Sequence, residues 1–132
     1  MDKVLAESRS YKVYAIADNV YLKKKAQCRT LNGFDEADIH IGWNYGTATA
    51  ALILSSEEYV ILSGCGITFF DIARALAIEL LTDPSDINWT NALHQDEADD
   101  AHLEFRYVAY SRKNKLRVFR MHVLTKAVTL LD

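Results

Sequence analysis

Cys65 lies between two glycines in Ser63-Gly64-Cys65-Gly66-Ile67-Thr68, where an apolar stretch gives way to residues at helical spacing. A strand, a glycine turn and a helix start can hold a phosphate on backbone N–H groups, and a helix N-terminus also depresses a thiol pKa. Both chemistries need partners that this loop lacks. A dinucleotide fingerprint requires a small residue at position 69, which is Phe69, and the Gly-Lys-Ser/Thr of a phosphate loop does not follow. A nucleophilic thiol requires a histidine, and no local pattern nominates His40, His94, His102 or His122. The loop is expected to be a structural strand-to-helix corner. A small-ligand or anion site at Gly64, Gly66 and Thr68 is the alternative.

His94 and His102 bracket Asp96, Glu97, Asp99 and Asp100, superficially a metal set. Their spacing matches no zinc signature, and the segment lacks the glycine and terminal glutamate of a calcium loop. No metal, cofactor or catalytic residue is expected, and the protein is not expected to be an enzyme.

Charge is strongly segregated along the chain. Glu79, Asp83, Asp86, Asp96, Glu97, Asp99, Asp100 and Glu104 all fall between Arg74 and Arg106, where there is no Lys or Arg. From Arg106 onward the balance reverses, with Arg112, Lys113, Lys115, Arg117, Arg120 and Lys126 following. Such asymmetry acts on partner choice and association rate. Basic residues interleaved with Tyr107, Tyr110 and Phe119 suit phosphate contact and base stacking, but the net charge of −3 and the neighbouring acids weigh against nucleic acid. Arg106 and Arg117 can simply pair with those acids.

These groups rest on elements readable from periodicity. Residues 10–17 and 20–22 read as strands, with Lys23, Lys24 and Lys25 guarding an exposed edge. Ile39, Ile41, Trp43 and Tyr45 alternate with Asp38, His40, Gly42 and Asn44, and strands follow at 47–54 and 59–63. Phe69, Ile72, Ala73, Leu76 and Leu80 recur at helical spacing, and Thr68 with Asp71 resembles a capping box, so the main helix is placed at 68–81. A short helix is expected around Trp89, an acidic loop at 95–101, and a hairpin from 103–110 and 116–124. The expected fold is α+β: an antiparallel meander of about six or seven strands with one helix packed on it. The chain, 132 residues and 50% hydrophobic, is read as one domain over 1–132.

Cys28 and Cys65 form no framework and no Cys-x-x-Cys pair, and no apolar stretch approaches a membrane span. With no secretory signal in the first residues, a cytoplasmic protein is expected. The function these features favour is a small protein-binding inhibitor with an acidic face. It is of the general character of an immunity protein that neutralises a basic toxin or nuclease domain, or of a phage anti-defence inhibitor. Asp83, Asp86, Trp89, Asp96, Glu97, Asp99, Asp100 and Glu104 are the expected partner-binding residues. A nucleic-acid module built on residues 106–120 is the alternative.

Overall fold

The structure is a computed structural model and describes residues 2–17, 19–43, 50–64, 66–80, 89–96, 99–100, 102–110 and 116–131. Twelve strands form three four-stranded antiparallel sheets, each joined in simple chain order. The N-terminal sheet holds β1 (Asp2–Glu7), β2 (Tyr11–Ile16), β3 (Asn19–Lys24) and β4 (Ile39–Trp43). The middle sheet holds β5 (Ala50–Ile53), β6 (Tyr59–Gly64), β7 (Gly66–Asp71) and β8 (Leu76–Leu80). The C-terminal sheet holds β9 (Trp89–His94), β10 (Glu104–Tyr110), β11 (Arg117–His122) and β12 (Val128–Leu130).

Alternation along the strands sets the stacking. On β6, Val60 and Leu62 join a core with Val13, Val20 and Ile41 of the N-terminal sheet. The intervening Ile61 joins Phe105, Tyr107 and Met121 of the C-terminal sheet. β7 divides likewise, with Phe70 on the first side and Ile67 and Phe69 on the second. The middle sheet is therefore apolar on both faces, as a sheet buried between two layers must be. β1 lies against β5, and β9 against β5 and β6, while no comparable contact joins β4, β8 and β12 among the described residues. The sheets diverge from their first strands toward their last, as neighbouring blades of a propeller do.

This corrects the expected α+β fold. Among the described residues there is no helix, and the segment assigned to one is the hairpin of β7 and β8. The error has a physical source. When both faces of a strand are buried its apolar residues run together, and period 2 can no longer be told from period 3.6. Thr68 caps nothing: it pairs across the sheet with Leu62 and Glu79. The chain instead reverses over residues 72–75, where Asp71 Oδ1 accepts the Arg74 amide and Ala75 takes a left-handed φ of 53°. The short helix expected around Trp89 is, over its described residues, part of β9, and residues 85–88 lie outside the described residues. Strands β1, β7, β8, β9 and β12 were not expected.

The lysines at 23–25 do not guard an edge, because β3 lies between β2 and β4. Lys23 is fully buried on the sheet's outer face, beneath residues 25–38. Its Nζ donates to Asp38 Oδ2 at 2.8 Å and to the Thr30 carbonyl at 2.6 Å. Tyr14 Oη and the Asp35 amide donate to the same carboxylate oxygen. The Asp35 carboxylate in turn accepts the amides of Ala37, Thr30 and Arg29, which hold its pKa below the ordinary value and brace the loop. No helix among the described residues is long and apolar enough to cross a membrane.

Candidate functional site

The acidic segment and the basic hairpin meet each other. Arg106 on β10 and Arg120 on β11 stand directly opposite in register, on the face turned away from the middle sheet. Arg106 Nε donates to Asp99 Oδ2 at 3.0 Å, and its second nitrogen reaches Asp99 Oδ1 at 3.2 Å. Asp96 lies 3.9 Å from Arg106, and Glu104 lies 3.5 Å from Arg120. The Asp99 side chain is fully buried. Burial by itself would raise its pKa, but the Arg106 guanidinium and the Asp96 amide outweigh that and hold it below the ordinary value.

The expected acidic face is thus partly consumed within the fold. Of its described acids, Asp99 and Glu104 neutralise the two arginines, while Asp96 and Asp100 remain exposed. Asp83, Asp86 and Glu97 lie outside the described residues. Trp89 opens β9 opposite Tyr110 and is 43% exposed. The nucleic-acid alternative loses Arg106 and Arg120 to the same ion pairs, and the tip residues 111–115 lie outside the described residues.

Gly64 and Gly66 pair with each other at a hairpin reversal between β6 and β7, with φ of 145° and 78°. Strand meets strand here, so the reversal lacks the helix N-terminus on which anion binding was argued. Its polar groups are also engaged: Thr90 Oγ1 of β9 accepts the Gly64 amide at 3.0 Å and donates to the Gly66 carbonyl at 2.5 Å. Cys65 lies outside the described residues.

The histidines are dispersed. His94 Nδ1 meets the Ala92 carbonyl, His40 Nε2 meets Asn19 Oδ1, and His122 Nδ1 accepts the amides of Leu124 and Thr125. Among the described residues no three His, Cys, Asp or Glu side chains converge as metal ligands.

The turn between β5 and β6 ties the three sheets together. Glu57, at a φ of 59°, accepts Ser8 Oγ and the Ser10 amide from the β1–β2 turn. Glu58 meets His102 Nδ1, in the turn that leads into β10 of the C-terminal sheet, at 3.0 Å. The Ser8 hydroxyl is the main reason Glu57 titrates below its ordinary 4.5, and the Glu58 hydrogen bond raises His102 above 6.5. Glu57 therefore contributes stability that is present above pH 4.5 and lost as pH falls through its folded pKa. His102 contributes below pH 6.5 and stops contributing as pH rises through its folded pKa. Urea midpoints measured against pH are expected to show a shallower acid limb in Glu57→Gln. His102→Gln is expected to remove the fall just above pH 6.5. Curves identical to wild type in both variants would refute the tie.

The feature that sequence reasoning missed is β8. Leu76 is 54% exposed and Ile78 40%, on the outer margin of the middle sheet. Both share the face of Phe69 and so look toward the C-terminal sheet. There they wall a cleft whose lining includes Phe69, Leu124, Arg74 and Lys126. Proteins usually protect such edges with bulges, lysines, prolines or short strands. β12 has three residues, and the β3–β4 pairing carries a register shift. β8 pairs regularly over five residues and carries one charge, Glu79. The alternation Leu76, Ile78, Leu80 is visible in the sequence, but the helical spacing from Phe69 masked it. No protein-family model, no curated protein and no solved structure matches the chain.

Proposed function

We propose that the chain is a protein-binding module whose partner supplies an extended segment to the β8 edge. The observation that carries this is the regular strand Leu76–Leu80, unpaired on its outer side among the described residues, with exposed Leu76 and Ile78 beside an apolar cleft. An added strand would take its main-chain hydrogen bonds from β8 and place alternate side chains in the cleft. Arg74 and Lys126 on the cleft rim outnumber Asp71, which suits an occupant with a carboxylate next to its apolar residues.

Selection from a random displayed-peptide library is expected to return sequences with alternating apolar residues and an acid. The purified peptides should protect β8 amides from hydrogen exchange. Ile78→Lys should weaken binding about tenfold or more, the equivalent of about 1.4 kcal/mol of lost apolar contact and unfavourable charge. Affinity unchanged by Ile78→Lys and by Ala77→Pro would refute the assignment.

Neutralisation of a basic toxin or nuclease domain stays as the second reading, supported by the exposed Asp96 and Asp100. It predicts that Asp96→Asn with Asp100→Asn slows association with a basic partner, most strongly at low salt, while Ile78→Lys has no effect. Equal association rates in the two proteins would remove it.

A further inference from the structure

Lys12 and Lys23 stand directly opposite each other on β2 and β3, on the outer face of the N-terminal sheet. Both are buried, at 8% and 0% exposure. Like charges so placed destabilise a sheet unless each is compensated. Lys23 has Asp38 at 2.8 Å. Glu7, the register neighbour of Lys12 on β1, is engaged by Lys25 at 2.6 Å. Lys12 Nζ meets two neutral acceptors, the Leu31 carbonyl at 3.3 Å and Asn32 Oδ1 at 3.1 Å. Among the described residues it forms no ion pair within 4 Å, although its charge helps to hold Glu7 below its ordinary pKa, and the two acceptors use two of its three N–H donors.

A cavity of about 140 Å³ lies beside it, lined by Val4, Lys12, Tyr14, Asn32 and Gly33. That volume equals about four or five waters. Asn32 accepts from Lys12 through its oxygen, which leaves two amide N–H donors on the same side chain. Gly33, at a φ of 83°, adds a wall without a side chain. The lining therefore sets one ammonium and one side-chain amide beside the apolar Val4 and the Tyr14 ring, which suits a single oxyanion head group. We propose that this cavity binds a small oxyanion, the phosphate or carboxylate group of a small molecule, with Lys12 as its counter-charge. The site is independent of β8.

Thermal unfolding in buffer free of phosphate and carboxylate tests it, with inorganic phosphate, acetate or chloride added at matched ionic strength. Phosphate or acetate is expected to raise Tm saturably, by about 5–10 °C at a hundredfold excess over Kd, and chloride is not. The larger rise of the two identifies the preferred anion. Lys12→Met should abolish the rise and leave the anion-free Tm within a few degrees of wild type, because a buried charge without a close ion-pair partner leaves with the side chain. Lys3→Met, on the exposed β1 surface, should retain it. No saturable rise over chloride, or an equal rise in Lys12→Met, overturns the proposal. If Lys12→Met does not fold, phosphorus NMR on wild type and Asn32→Leu decides. Phosphate line broadening that weakens in Asn32→Leu supports the site, and absent or unaltered broadening refutes it.

Discussion

Replacing Asp38 by alanine is expected to destabilise the protein by about 3–5 kcal/mol, the cost of stranding one member of a buried ion pair. Neither partner reaches solvent: the Lys23 side chain is 0% exposed and that of Asp38 1%. One carboxylate oxygen accepts Lys23, Tyr14 and the Asp35 amide, so the substitution removes three hydrogen bonds along with the charge. What remains for the ammonium is the Thr30 carbonyl and the face of the Tyr14 ring, 5.6 Å from its centroid. The other carboxylate oxygen is buried without a hydrogen-bond partner among the described residues, so the pair is costly even when intact. For that reason Lys23→Met combined with Asp38→Leu should recover most of the loss, since apolar replacement of both partners removes two desolvation penalties. Urea unfolding with an unchanged m-value is the measurement. A loss in Asp38→Ala below about 1 kcal/mol would mean that Lys23 reaches water, contrary to its burial.

Phe105→Ala should cost a similar amount, about 3–5 kcal/mol, for a different reason. Phe105 is fully buried where the middle and C-terminal sheets meet. Its ring stands edge-on to Phe69 at 5.7 Å and 88°, and lies 5.9 Å from Tyr107. Tyr107 is itself so enclosed that burial raises its phenol to about 12. Truncation opens a void between two sheets that backbone pairing keeps from collapsing, so the cavity term adds to the lost transfer energy. Phe105→Leu, which refills most of the volume, should cost markedly less. Hydrogen exchange should show the loss concentrated in β10 and β11, the strands on the far side of that contact. A loss below about 1 kcal/mol, or one spread evenly over all three sheets, would contradict the layered core.

Where only one face of a strand is buried, the sequence is a sound guide. The Ile39–Trp43 strand and the pairing of β10 with β11 follow from period-2 alternation and turn residues. In the middle sheet β5 and β6 are legible as apolar runs between turns, but β7 is not, because burial on both faces lets Ile67, Phe69 and Phe70 run together and join Leu76 and Leu80 in a helical spacing. The segregation of charge was equally legible, and so was the option that Arg106 pairs with the acids before it. That Asp99 is the acid Arg106 holds, and that Arg120 shares the work with Glu104, depends on β10 and β11 being paired in one register.

By itself the sequence determined that the chain is rich in strands with short connections, that its charges are segregated, and that the glycines at 64 and 66 mark a reversal. Local propensity and periodicity act within a few residues, and these are properties of that range. The tertiary structure decided which faces are buried twice, which lysine is enclosed, and which acids are left to solvent. Those outcomes depend on partners tens of residues away, such as Glu57 with Ser8 or Thr90 with Gly66, and no local pattern encodes them. β8 shows the difference most plainly. Its residues are visible as letters, but they become an exposed edge only because the C-terminal sheet diverges from them.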